Sequence, residues 1–123
     1  MARILVIDDE KTLRQLMVDL LEREGHEVEA AANAFRALEV LGERRFDAVL
    51  LDVMMPNMDG YELMGTIRED SGTTNVPVIA VTALDDPKNR QRIEDLGFFA
   101  HVAKPFDATE LLEVVKRALG SSQ

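Results

Sequence analysis

The chain has 123 residues, no cysteine, and a formal net charge of −9 from 23 acidic and 14 basic side chains. That length suits one domain with a real core, and a hydrophobic share of 46% suits a folded chain rather than a disordered one. The acidic balance argues against binding to a nucleic acid backbone, the lack of cysteine excludes disulfides and thiolate metal sites, and no run reaches the roughly 18 apolar residues of a spanning helix. Met1-Ala2-Arg3 enters an apolar run at once, so no secretory leader is expected and the cytoplasm is the default location.

Short apolar runs alternate with amphipathic stretches, the pattern of a doubly wound α/β domain. The first strand, Arg3–Ile7, runs into Asp8-Asp9. A helix follows with Leu13, Leu16, Met17, Leu20 and Leu21 on one face, stopped by Gly25. His26 is expected to be exposed between this helix and a weak second strand, Glu27–Ala31. The second helix is expected to bury Ala34, Ala37, Leu38 and Leu41 and to end in a solvated Arg44-Arg45 pair. The third strand, Ala48–Leu51, runs into Asp52. Asp59 can cap a third helix that begins near Gly60 and buries Leu63, Met64 and Ile67. A polar loop, Ser71 to Asn75, leads through Pro77 to a fourth strand, Val78–Val81, which runs into Thr82.

Asp85 or Asp86 can cap the fourth helix, and Pro87 fits its first turn. This helix offers only Ile93 and Leu96 as strong anchors. It reads either as a thinly packed surface helix or as a movable element. The fifth strand, Ala100–Ala103, runs into Lys104-Pro105. Asp107 and Glu110 form a capping-box-like start to the last helix, which buries Leu111, Leu112, Val115 and Leu119. The domain is expected to span residues 1–119, with 120–123 as a tail or the start of a linker.

If these strands are parallel, their carboxyl ends lie along one edge of one sheet. Ligands in doubly wound sheets bind at that edge, where the strand order reverses. In the flavodoxin-like (βα)5 order 2-1-3-4-5, taken from the fold type rather than from this sequence, the crevice falls between strands one and three. Asp8, Asp9 and Asp52 then meet there, with Thr82 and Lys104 nearby. Three crowded carboxylates are unfavourable without a cation among them, and an all-oxygen donor set suits Mg2+. A solvated acidic rim without metal is the alternative, and it sits badly with strands that should be buried.

Four ordered segments carry a resemblance: Val6-Ile7-Asp8-Asp9-Glu10, Leu51-Asp52-Val53-Met54-Met55-Pro56-Asn57-Met58-Asp59-Gly60, Val81-Thr82-Ala83, and Lys104-Pro105-Phe106. From Ile4 to about Leu119 the chain resembles the receiver domain of bacterial two-component response regulators, of the chemotaxis-regulator kind. The resemblance implies that Asp52 accepts a phosphoryl group from the phosphohistidine of a sensor histidine kinase or phosphotransfer protein. It implies Mg2+, with Mn2+ as a substitute, held directly by Asp9, through water by Asp8, and by Asp52 and the Met54 carbonyl. Thr82, the Ala83 amide and Lys104 would hold the phosphoryl oxygens, and the Lys104–Pro105 bond would be cis. Thr82 and His101 would form the switch. The surface of helix four, strand five and helix five would then control a partner or an attached effector. Such a domain assists its own phosphorylation and dephosphorylation and is not an enzyme for an external substrate. The same resemblance implies a monomer or a weak phosphorylation-dependent dimer, without direct contact to nucleic acid or membrane.

Three departures stand out. His101 occupies the place where such domains usually carry Tyr or Phe, and it reads either as a flat ring that swings inward or as a passive surface group. Phe99-Ala100 replaces an acidic pair often used in intermolecular salt bridges, so that charged dimer is not expected; Phe99 is either core or an apolar contact. Met54 and Leu84 bracket the pocket without a group to orient water, so a long-lived phosphorylated form is expected. Met55, Met58 and Met64 read as loop and core packing. A phosphorylation-independent interaction domain on the same fold is the alternative function. A metal-dependent phosphohydrolase would need a second acid near the nucleophile, where position 54 holds Met, and a cap for which no segment is long enough; a flavin protein would need a phosphate loop after strand one.

Overall fold

The computed structural model describes residues 2–55, 58–83 and 86–121. Leu84, Asp85, the side chain of Met58 and the last two residues, on which some expectations fall, lie outside them. Among the described residues, five strands form one parallel sheet: β1 (Arg3–Ile7), β2 (Glu27–Ala31), β3 (Ala48–Asp52), β4 (Val78–Thr82) and β5 (Ala100–Ala103). Their spatial order is β2-β1-β3-β4-β5, as expected for the doubly wound class. Asp52 and Thr82 are the last residues of their strands rather than the first of the following loops. Outside this sheet, Met54–Met55 pairs antiparallel with Met58–Asp59, a small ladder with no signal in the alternation of the sequence.

The helices are α1 (Lys11–Arg23), α2 (Ala34–Glu43), α3 (Gly60–Glu69), α4 (Pro87–Asp95) and α5 (Ala108–Ser121). β1, β3 and β4 are apolar on both faces because both faces are covered. Strand alternation splits the core in two. Leu5, Ile7, Val49, Leu51 and Ala80 face the side packed by α2, α3 and α4. Ile4, Val6, Leu50, Ile79, Val81 and Val102 face the side packed by α1 and α5. Each fully buried Leu or Ile contributes about 1.5–3 kcal/mol to holding these layers together.

Local chemistry ends the helices where the sequence suggested. Gly25, at φ +89, terminates α1 in a left-handed conformation that residues with a Cβ rarely adopt. Asp59 caps α3 by accepting from the amides of Tyr61 and Glu62, and Asp86 caps α4 by accepting from Asn89, with Pro87 in the first turn. Other expectations need correction. Leu16 and Leu38 are 45% and 40% exposed, because they lie at the margins of their helical stripes rather than under them. His26 is half-buried, and its Nδ1 accepts from the Ala2 amide at 3.3 Å. Arg44 does not end its helix in solvent; it pairs with Glu29 and Glu43. At the last helix the expectation of an Asp107 start holds: its carboxylate accepts from the Thr109 amide at 2.9 Å, and α5 runs to Ser121. Phe99 is half-buried against the α1–α5 side of the core.

Candidate functional site

β1 and β3 are neighbours in the sheet, so the carboxylates at their ends are brought side by side. Asp8, Asp9 and Asp52 each offer an oxygen within 4.8 Å of the others. Asp8 is fully buried, Asp52 is 4% exposed, and Asp9 faces solvent. The Asp8 carboxylate accepts from the Glu10 amide at 2.9 Å through Oδ1. The Asp52 carboxylate accepts from the Met54 amide, also at 2.9 Å and through Oδ1. Each acid is thus oriented by the amide two residues on, with its other oxygen turned into the pocket.

Lys104 stands between those two free oxygens. Its Nζ lies 3.0 Å from Asp52 Oδ2 and 3.2 Å from Asp8 Oδ2. Its own amide donates to the Thr82 carbonyl at 2.8 Å, which fixes the end of β5 to the end of β4. The Lys104–Pro105 bond is cis. Burial raises the Asp52 carboxyl above the ordinary carboxylate range, outweighing the Met54 amide and Lys104, which lower it; the charge of Asp8 adds to the rise. For Lys104, burial is the largest single effect and favours the neutral amine. The bonds and charges of Asp52 and Asp8 together outweigh it and hold the ammonium above its usual value.

The donor set fits a hard divalent cation. It is all oxygen, one carboxylate faces solvent, and one ammonium cannot neutralise three acids. Mg2+ accepts such a site because it needs few carboxylates and keeps several waters.

The remaining expected site residues lie at the end of β4, just beyond β3 and, for His101, farther back on β5. Thr82 is fully buried at the end of β4, and Ala83 beside it is exposed. Met54 is 50% exposed just beyond Asp52. His101 is half-buried on β5, in register with Ala80, and alternation puts it on the same side of the sheet as Thr82. It lines a shallow cleft with Arg90, Ile93, Glu94 and Phe98.

One contributor escaped the sequence reading. Arg14, on the second turn of α1, reaches back and donates from Nη1 to the Asp8 carbonyl at 2.9 Å. It holds the end of the strand from behind. Its only signal is a basic side chain one to two turns into the helix that follows the acidic pair, and that position also suits an ordinary solvated residue.

The sequence matches the response regulator receiver domain family over residues 4–116. The chain belongs to that family, and its class is the phosphoacceptor signalling domain. It is 36% identical to sporulation initiation phosphotransferase F of Bacillus subtilis, over 95% of this chain and 93% of that protein. It is 30% identical to the polar-differentiation response regulator DivK of Brucella anthropi, over 97% of each. Among solved structures, chemotaxis protein CheY4 of Vibrio cholerae superposes with a TM-score of 0.92 at 34% identity, covering 97% of this chain and 99% of that one. Receiver domains work with histidine kinases or phosphotransfer proteins and with effectors, and are signalling domains rather than enzymes in the usual sense. No described helix is long and apolar enough to cross a membrane.

Proposed function

We propose that Asp52 is the phosphoacceptor of this receiver. The observation that carries the reading is the placement of its carboxylate: nearly inaccessible, within 4.8 Å of two further acids, and in direct contact with the half-buried Lys104 ammonium. In the transfer, a carboxylate oxygen of Asp52 bonds to phosphorus as the P–N bond of a donor phosphohistidine breaks. The Met54 amide keeps Oδ1 engaged, which leaves Oδ2 as the attacking atom. Lys104 turns from the carboxylate pair to the incoming phosphoryl oxygens and offsets the charge spread over them. Asp8, Asp9, Asp52 and the Met54 carbonyl would hold Mg2+, or Mn2+ in its place, which supplies further charge neutralisation at the transferred group.

Thr82 and the Ala83 amide receive the remaining phosphoryl oxygens. The move of Thr82 toward the phosphoryl group, with His101 on the same side of the sheet, changes the surface of α4, β5 and α5. That surface addresses a protein partner or an attached effector, and phosphoryl arrives from a histidine kinase or phosphotransfer protein in the cytoplasm. The working unit is residues 1–119, acting as a monomer or weak dimer without direct contact to nucleic acid. Met54 offers no group to orient an attacking water, so the acyl phosphate is long-lived.

Intact mass after incubation with acetyl phosphate and Mg2+ tests the acceptor. One added phosphoryl group that requires Mg2+ and is absent from Asp52→Asn is the expected result. Equal uptake by Asp52→Asn would overturn the assignment.

A further inference from the structure

Helix α4 is held in an unusual way. It buries a single residue, Ile93, and is otherwise polar. Its near end is tied to α3 through Tyr61. The Tyr61 ring is 6% exposed, and its hydroxyl donates to Asn89 Oδ1 at 3.1 Å. The Asn89 amide nitrogen donates in turn to both oxygens of Asp86, the α4 cap, at 3.0 and 2.8 Å. The Arg92 guanidinium stacks over the same ring, its carbon 3.9 Å from the centroid. One aromatic side chain on α3 therefore meets the first turn of α4 through Asn89 and the second through Arg92.

The other side of Tyr61 leads to Asp52. Its chain neighbour Gly60 lies so close to Val53 that a Cβ there would stand 2.4 Å from the Val53 Cα. The Gly60 amide also points at the Val53 carbonyl, at 3.4 Å. Val53 directly follows Asp52, so backbone touches backbone between the end of β3 and the start of α3. A shift of the main chain after Asp52 cannot be absorbed by a side chain at Gly60 and passes to Tyr61.

We propose that Tyr61 is a positioning residue that couples the segment after Asp52 to helix α4, by a route separate from Thr82 and His101. The proposal builds on Asp52 as the phosphoacceptor. It gives α4 two inputs, one through the β4 end at Thr82 and one through α3. Burial pushes the Tyr61 phenol above its usual range, so the hydroxyl remains a donor.

The experiment is amide hydrogen exchange across α4 in the full chain, free and with Mg2+ plus beryllofluoride. Wild type is compared with Tyr61→Phe, which keeps the ring, and Asn89→Ala, which removes the same bond from the other partner. Without beryllofluoride, α4 amides are expected to exchange about fivefold faster in Tyr61→Phe, the effect of one lost hydrogen bond, and faster still in Asn89→Ala, which also loses its bonds to the Asp86 cap. Phosphoryl uptake from acetyl phosphate should stay at the wild-type rate in Tyr61→Phe. The change in α4 exchange on adding beryllofluoride should shrink at least threefold in that variant. Wild-type α4 exchange in both free variants would overturn the brace, and an undiminished beryllofluoride response would overturn the coupling. If the wild type takes up no phosphoryl group, the reading of Asp52 fails instead, and the free-protein comparison alone decides the brace.

Discussion

Helices α5 and α4 are neighbours through β5 in a sheet that covers its two faces differently. α5 buries Leu111, Val114, Val115 and Ala118 in the core it shares with α1, β3 and β5. α4 buries Ile93 and is otherwise attached by directional bonds: Tyr61 and Arg92 at one end, Arg68 at the other. Apolar packing tolerates small sliding poorly, because close-packed neighbours move together. A few hydrogen bonds can be exchanged one at a time. The contrast predicts a stiffer α5 side beneath the acids and a more yielding α4 side.

The largest expected effect comes from breaking the stiffer side. Leu111→Ala should cost about 3–5 kcal/mol, read as a lower urea midpoint of the whole domain. Ile93→Ala should cost about 2 kcal/mol, near the low end for such truncations, with the loss of amide protection concentrated in α4. Equal costs, with equally global loss of protection, would erase the distinction between the two helices.

Next in size is Arg68. Its guanidinium donates to the carbonyls of Thr73, Thr74, Val76 and Gly97, the last at 3.0 Å, and so ties the α3–β4 loop to the turn after α4. Arg68→Ala should cost about 1–2 kcal/mol, since each replaced bond is worth only a fraction of that once water substitutes. Arg68→Lys should recover less than half, because an ammonium cannot span the same fork of acceptors. Urea titration of both variants, with exchange at Gly97, measures it.

The smallest effect is at Asp52 and depends on pH. Burial raises its folded pKa above the unfolded value, so ionisation works against folding. That penalty is absent below the ordinary carboxylate range and grows as pH rises through the shifted value. Metal-free Asp52→Asn should therefore be slightly more stable than wild type at neutral pH, with the gap closing in acid. Mg2+ should stabilise wild type more than the variant and narrow the gap from the other side. Denaturant midpoints at several pH values, with and without Mg2+, follow both changes.

Much of this was legible in the sequence because the signals were local and repeated. Four apolar runs each ended in a chemically distinctive residue, and parallel pairing turns chain order into adjacency at one sheet edge. Asp8, Asp52 and Lys104 needed only that rule to meet. What escaped was set by reach across helices. Arg14 bonds to a carbonyl, which has no residue identity, so no pairing of charges points to it. Tyr61 and Asn89 stand 28 positions apart, and neither belongs to an apolar stripe that reveals its partner. Leu16 and Leu38 fit the helical period but lie at the margins of their buried stripes, a matter of helix placement that periodicity does not carry.

The close approach of Gly60 to Val53 has one more consequence. It fastens Val53, the residue after Asp52, to Gly60, the first residue of α3, and so closes a loop in the chain between them. Entropy changes slowly as such a loop grows, so added residues would be cheap for folding. Length can thus vary inside this loop while its closing contact, with Tyr61 directly after it, stays where it is.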